Sequence, residues 1–422
     1  MVVPQFRKAV LSQGVTLVAE SHPYVRSVSI GVWVKVGSVN ESPSLNGVSH
    51  FIEHLAFKGT KTRAPQQIAT VLEGLGGDLN AFTEREVTCF HATVLNEHID
   101  IALDVLSDLV VNPTFPKSEL ERERKVLLQE LSMVEESPED SIYDSLFRQI
   151  WKGESLGQPI IGSRKTIQGL SRSMVEHFFE DHYQPANIVI SVAGGIEFEP
   201  LRERCEHYFR FNKPQQKLNL KRHPVHYHQR HWFQKSTSDQ LHCLVGFEGV
   251  GVRDPKRYAY LLLSFVLGGG MGSRLFQEIR EKAALAYSVD CDFLPFAETG
   301  IFTIYTGMSS RSLGKSLEIL SAEFEKLRDG DLPMEELDRV KGQLKGMILL
   351  SADQMEARQE ALARNEILFG RAIPVEEVLA SIDAVTQDDL RQAAKELFVP
   401  EKESLVVLSK NKPKLKKLSV FQ

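Results

Sequence analysis

Cysteine is scarce and scattered in this chain. Cys89, Cys205, Cys243 and Cys291 are the four among 422 residues, and no two form a C-x-x-C pair. That spacing argues against a disulfide framework and a cysteine zinc site, and a reducing compartment is expected. Long apolar runs are missing too; none is long enough to cross a bilayer as a helix. The opening Met1-Val2-Val3-Pro4-Gln5-Phe6-Arg7-Lys8 lacks the apolar core of a secretory leader. A cytoplasmic location with no membrane partner is therefore expected. Positive charge is not in excess: 50 Lys and Arg face 56 Asp and Glu, and the formal charge is −6. No electrostatic footprint for nucleic acid is visible, and the short basic tail over 410–417 reads as a solvated terminus. Two catalytic signatures are also absent. There is no G-x-S-x-G, and Gly268-Gly269-Gly270-Met271-Gly272-Ser273 lacks the lysine of a phosphate loop. What remains, 42% hydrophobic and 25% charged, is ordinary globular composition at a length suited to two or three domains.

The patterned remainder alternates strands and helices. Residues 9–20 and 25–37 are rich in valine, and Val28, Ile30, Val32, Val34 and Val36 fall on one side, so two strands are expected. A helix follows over 47–59, and another over 65–75, opened by Pro65. Gly74, Gly76 and Gly77 break it, and the β-branched and aromatic residues of 78–94 predict a long strand or bent hairpin. Ile99, Leu103, Leu106 and Val110 recur at helical spacing. Further helices are expected over 117–136, 140–151 and 171–181, and a strand over 187–194.

The second half repeats the first. A strand over 241–247, a helix over 255–267 and a glycine break lead to a helix over 273–282, a strand pair over 287–306 and a helix over 310–327. The clearest correspondence is Pro116-Lys117-Ser118-Glu119-Leu120-Glu121-Arg122 with Pro333-Met334-Glu335-Glu336-Leu337-Asp338-Arg339, each ahead of a long helix. The expected architecture is α+β, with two tandem homologous α/β domains. Each would be a mostly antiparallel mixed sheet with helices packed on one face. The boundaries read as 1–212, a polar linker over 213–230, and 231–422. His223, His226, His228 and His231 cluster in and beside that linker. Alternation in an exposed segment accounts for them, with a second metal site or a binding module as the alternatives.

The chemistry concentrates in His50-Phe51-Ile52-Glu53-His54. Residues at i and i+4 share a helix face, so His50 and His54 can hold one zinc ion, with Glu53 near enough to take a proton from water. This is H-x-x-E-H, the reverse of the commoner H-E-x-x-H order. A polar helix face carrying two histidines is the plainer reading. The repeat supplies a control. Glu123 and Glu130 stand seven residues apart on one face of a long helix, and superposing the two halves sets Val340 and Met347 opposite them. The half without the histidines thus also lacks both glutamates, which groups Glu123 and Glu130 with His50 and His54.

At this point a family resemblance emerges. His50-Phe51-Ile52-Glu53-His54-Leu55-Ala56-Phe57-Lys58-Gly59-Thr60 resembles the zinc segment of the M16 metallopeptidases, the inverzincins, which include pitrilysin, insulin-degrading enzyme and the processing-peptidase β subunit. Glu121-Arg122-Glu123-Arg124-Lys125-Val126-Leu127-Leu128-Gln129-Glu130 is similar to the family's third-ligand segment, and Gly76-Gly77-Asp78-Leu79-Asn80-Ala81-Phe82-Thr83 to its substrate-binding edge strand. Gln158-Pro159-Ile160-Ile161-Gly162 and the run from Gly272 through Arg280 to Tyr287 extend the resemblance over nearly the whole chain. It implies a fold of the processing-peptidase kind and a zinc endopeptidase with one zinc per chain on His50, His54 and Glu130. It makes Glu53 the general base and Glu123 its catalytic support. Asn80, Ala81, Phe82, Arg280 and Tyr287 would contact the peptide substrate. It also implies a dimer, with a second copy or a related chain, that encloses unfolded or presequence-like peptides. The alternative is a non-catalytic subunit of a heterodimeric peptidase or larger complex. One departure is local: Ala283-Ala284 stands where the family commonly has Arg-Gly, which puts the geometry of that turn in question.

Overall fold

The computed structural model describes residues 5–211, 225–414 and 418–421. Most of the 213–230 stretch, with His223, and part of the basic tail lie outside them. The first-half strands are β1 (Gln5–Val10), β2 (Thr16–Ser21), β3 (Ser27–Val34), β4 (Asp78–Thr83), β5 (Thr88–Leu95) and β6 (Ile188–Gly194). They form one sheet in the order β1-β2-β6-β3-β5-β4. Every pair is antiparallel except β2 with β6. The run read as one strand over 9–20 is the β1–β2 hairpin, turned where Gly14 donates to the Leu11 carbonyl. The helices are α1 (Val48–Ala56), α2 (Pro65–Glu73), α3 (Ile99–Val111), α4 (Lys117–Glu136), α5 (Pro138–Ile150), α6 (Arg164–Gly169), α7 (Arg172–His182) and α8 (Phe198–Tyr208).

The second half supplies β7 (His231–Lys235), β8 (Leu241–Gly249), β9 (Ala286–Pro295), β10 (Gly300–Met308) and β11 (Glu403–Ser409), in the order β7-β11-β8-β10-β9. Again one pair, β7 with β11, is parallel. Its helices are α9 (Arg257–Gly268), α10 (Leu313–Asp329), α11 (Met334–Ser351), α12 (Met355–Phe369), α13 (Val375–Ala384) and α14 (Gln387–Leu397). The two halves are thus α+β units of one build, each a mostly antiparallel mixed sheet under a layer of helices. None of the described helices is long and apolar enough to cross a membrane.

The compact units are not continuous in sequence. One comprises residues 1–132, 158–221 and 350–373, and the other 133–157, 222–349 and 374–422. The six-stranded sheet therefore takes α12 from the second half, and the five-stranded sheet takes α5 from the first. The reason is legible in β3, where burial runs from Val28 to Val34 without alternating. A strand buried on both faces needs cover on both. Val28, Ile30, Val32 and Val34 join the main core beneath the helices. Trp33 turns to the other face, where it packs with Val18, Cys89 and Val189 against Leu362 and Ala363 of α12. Gln359 is buried there too, accepting from Trp33 Nε1 at 3.2 Å and Ser191 Oγ at 2.5 Å. Arg358 and Arg364 pair with Glu20 and Glu84 at the helix margins. The expectation of helices on one face thus holds for the main layer, with a single further helix on the reverse. In the other unit, α5 covers β8 and β11, and Gly246 leaves room for Leu146.

The segment read as a helix over 273–282 is a π-helix, Phe276–Lys282. It ends at Ala284, whose φ is +50°, in the left-handed region that the family's glycine would occupy without cost. An L-residue held there is strained by roughly 1–2 kcal/mol. Ala284→Gly relieves that strain but adds about 0.4–1 kcal/mol of unfolded-state entropy. The net gain should raise the melting temperature by about 1–4 °C in a thermal scan; a fall would show that this turn is not strained.

Candidate metal centre

Helix α1 faces two ways. Val48, Phe51, Ile52, Leu55 and Ala56 are buried in the core, which leaves His50, Glu53 and His54 on the opposite, half-buried side. The i, i+4 spacing sets the two imidazoles edge to face, with ring centroids 4.7 Å apart. Glu130 reaches them from α4, with Oε2 3.5 Å from His54 Nε2 and 4.0 Å from His50 Nε2. The three ligand atoms lie within 4.8 Å of one another. A tetrahedral zinc ion with bonds of about 2.0–2.1 Å sets its ligands roughly 3.3 Å apart, so the residues present fit such an ion with small adjustments. Among the described residues no other group of three His, Cys, Asp or Glu has ligand atoms this close. His226, His228 and His231 form no such centre, and His231 pairs instead with Glu403 at 3.5 Å.

Electrostatics favour the ligand form of His50, and a hydrogen bond orients His54. Burial, with His54 beside it, pushes His50 down to about 3, so its imidazole is neutral. His54 Nδ1 lies 3.2 Å from Glu123 Oε2. Lys58 Nζ sits 3.1 Å from the other oxygen of that carboxylate. An ionised carboxylate only accepts, so Nδ1 must donate, and Nε2 keeps its lone pair for a metal. Glu123 belongs to the buried stripe Leu120, Glu123, Leu127 and Leu131 of α4. A charge in an apolar stripe persists only with partners, and His54 and Lys58 are those partners. At the corresponding positions of α11, Val340 is fully buried in the core and Met347 is exposed.

Glu53 is held from the sheet. Thr83 Oγ1, at the end of β4, donates to Glu53 Oε2. Burial raises the Glu53 carboxyl, while the Thr83 hydrogen bond and the neighbouring His54 oppose the rise. The fully buried phenol of Tyr183 is raised by burial and by the charge of Glu53.

The remaining residues singled out in the sequence divide in two. Strand β4 is an edge strand of its sheet. Leu79 and Ala81 turn toward the main core. Phe82 turns to the other face, edge-on to Trp33 with centroids 5.4 Å apart and 5.9 Å from His91. Its backbone rather than its ring is thus what the open edge offers, and the Asn80 side chain accepts from the Ala81 N–H at 2.9 Å. Arg280 and Tyr287 lie together in the five-stranded unit. The guanidinium stacks over the Phe276 ring at 4.7 Å and the Tyr287 ring at 5.3 Å, and Tyr287 is 75% exposed.

Three supporting residues escaped the sequence reading. Lys58 and Thr83 lie inside recognised segments, but nothing in the spacing says that they touch Glu123 and Glu53. Glu41 gives no local signal at all. It accepts from the backbone N–H groups of Gly47 and Ser49, each at 2.7 Å, and from Asn46 Nδ2 at 3.0 Å. It therefore caps α1 from outside the helix, where unpaired N–H groups and the helix dipole favour an anion. Burial pushes its carboxyl up to about 7 against those three donors. Gly47 has φ +95°, and a Cβ there would lie 2.6 Å from the Ile161 carbonyl. Asn46 also donates to the Pro159 carbonyl at 2.9 Å, so the loop over 158–162 seats the start of the helix.

Two histidines on α1 and a glutamate on α4, set in one unit of a doubled α+β chain, are a donor set of the kind that metallopeptidases use. The family model described as insulinase (peptidase family M16) matches residues 16–164, and the one described as the peptidase M16 inactive domain matches 169–344. An uncharacterized zinc protease of Bacillus subtilis, YmxG, is 36% identical over 92% of this chain and 94% of its own length. An uncharacterized zinc protease of Streptomyces coelicolor, SCO5738, is 33% identical over 93% and 87%. The crystal structure of a protease from Helicobacter pylori superposes with a TM-score of 0.89 at 21% identity, over 96% of this chain and 100% of that one. A peptidase M16 inactive domain structure from Pseudomonas fluorescens gives 0.88 at 19% identity, over 97% and 100%. The chain belongs to peptidase family M16.

Glu41→Gln turns one acceptor toward the helix into a donor. It should lower stability by about 1–3 kcal/mol in urea unfolding. An unchanged unfolding midpoint would show that the cap contributes nothing.

Proposed function

We propose that this chain is a zinc-dependent endopeptidase that hydrolyses peptide bonds of unfolded or presequence-like segments. The observation that carries the reading is the convergence of His50, His54 and Glu130, with Glu53 one residue before His54 on the same helix face. The names of the relatives, zinc proteases, support it.

His50 and His54 would hold zinc through Nε2, and Glu130 through its carboxylate. A zinc ion held there would supply Lewis acidity toward the scissile carbonyl and the attacking water. Glu53 takes the proton from that water and returns it to the departing nitrogen. Its raised affinity for protons, set by burial, suits a group that must both accept and give. Glu123 keeps the His54 ring turned, and Lys58 binds the other oxygen of that carboxylate. The open edge of β4 at Asn80, Ala81 and Phe82 takes the substrate as an added strand, through backbone hydrogen bonds, so extended unfolded chains are accepted. Arg280 and Tyr287 are further proposed contacts of the substrate in the assembled dimer. We further propose that the working form is a dimer, of two copies or with a related chain, enclosing the peptide.

The purified protein should hold about one zinc per chain by elemental analysis. Glu53→Gln should keep the metal and lower turnover of an unstructured peptide by about 10²–10⁴-fold. Turnover equal to the parent would remove Glu53 from the base role. Glu130→Gln should weaken zinc binding by at least about 10–100-fold in competition with a chelator, whereas substitutions at Val340 and Met347 leave it unchanged. Sizing the active fractions tests the dimer: activity eluting with a single chain rules it out.

A further inference from the structure

The sheet holds the Glu53 carboxylate by one specific contact, and the side chain that makes it lies at an unusually well fixed point. Thr83 is the last residue of β4, paired with Thr88 of β5. The chain turns there, with the Glu84 N–H donating to the Val87 carbonyl at 2.8 Å and the Glu84 carbonyl accepting from the Ser38 N–H at 3.2 Å. The Glu84 side chain is gripped by Arg364 of α12, at 2.7 Å and 2.9 Å through two nitrogens. Arg364 in turn lies over the Trp33 ring at 5.2 Å and bonds Glu360 at 2.8 Å. A bidentate pair stacked on an aromatic face is the geometry in which arginine fixes position best. Thr83 thus ends a strand pinned by the ladder, by a tight turn and by a helix on the reverse face.

We propose that Thr83 is a positioning residue for Glu53: its hydroxyl binds Oε2, leaves Oε1 for the attacking water, and selects the carboxylate rotamer that reaches that water. The chemistry of the contact fits this role. A hydroxyl that donates to one carboxylate oxygen fixes the carboxylate's orientation and leaves the other oxygen to accept from water. Alternation places Thr83 on the α1 side of the strand, in line with Ala81, while Phe82 faces α12. The substrate edge and the base are therefore carried by one strand. A peptide added along β4 and the carboxylate that serves its hydrolysis share a common frame, and α12, drawn from the far half of the sequence, steadies it. A displacement of about 1 Å at a catalytic group can cost on the order of 10²-fold in rate, so a single hydroxyl at this point is enough to matter.

This inference rests on the peptidase reading, and its test separates the two. Thr83→Val keeps the shape and the strand preference while deleting the hydroxyl. With an unstructured peptide, kcat should fall about 10–100-fold with KM nearly unchanged, and Thr83→Ser should restore kcat to within about threefold of the parent. Zinc content and melting temperature should match the parent in both variants. Crystal structures of parent and Thr83→Val read the carboxylate directly, without any assay. Glu53 should leave its single rotamer in the variant. The proposal is overturned if kcat is retained in Thr83→Val, if Thr83→Ser fails as badly, or if Glu53 keeps its rotamer without the hydroxyl. A parent protein that cleaves nothing would sink the peptidase reading alone, since the crystal comparison still decides whether Thr83 sets Glu53.

Discussion

The hydrogen bond between His54 Nδ1 and Glu123, 3.2 Å long, is the contact on which the centre depends. It requires a carboxylate in the buried stripe of α4, at a position the other half of the chain fills with Val340. Burying that charge costs several kcal/mol unless it is paired, and the partners available are the ring of His54 and the ammonium of Lys58. Once the pair forms, the rest follows geometrically. The His54 ring is fixed, its Nε2 faces Glu130, and His50, one turn back, completes the set. Leu120, Leu127 and Leu131 seat α4 in the core on either side of Glu123, so the same stripe that buries this carboxylate also fixes the helix that carries Glu130.

Around that contact the protein secures α1 from three directions. Glu41 and the 158–162 loop hold its first turn, the apolar side of the helix holds its length, and Thr83 holds Glu53 from the sheet. Each uses a different force, respectively an anion at a helix N-terminus, burial of apolar area, and a hydroxyl–carboxylate bond. The three ligand atoms lie within 4.8 Å of one another on two helices held from outside the site. In the other unit the described buried positions of α11 are Leu337, Val340 and Leu344, all apolar.

Much of this was readable before any fold. Valine alternation announced β3, Pro65 announced a helix start, and the matching segments at 116–122 and 333–339 announced a repeat. The i, i+4 spacing alone put His50 and His54 on one face, and the superposed halves grouped Glu123 and Glu130 with them. Other features left no local trace. The β1–β2 turn hides in a valine-rich run that reads as one strand. Glu41 caps a helix from six residues outside it, with no capping-box pattern. Phe82 looks like a substrate contact in sequence, yet its ring belongs to the Trp33 cluster, because alternation on an edge strand sends it to the reverse face. Ala284 shows only that glycine is missing; its positive φ shows that the turn is kept regardless.

Sequence by itself determined what depends on neighbours a few residues apart: the helix that carries the histidines, the strands, the repeat and the donor types. Those follow from backbone periodicity and side-chain chemistry, which act locally. Tertiary structure alone decided which distant groups meet. Thr83 comes to Glu53 across 30 residues, and α12 crosses to cover a sheet whose nearest strand in sequence, β6, ends over 150 residues earlier. That exchange of α5 and α12 is invisible to any local pattern, since nothing in a helix's own sequence says which sheet it will cover, and α12 buries Gln359 beside Leu362 and Ala363. Only packing the doubly buried strand β3 selects which sheet receives it.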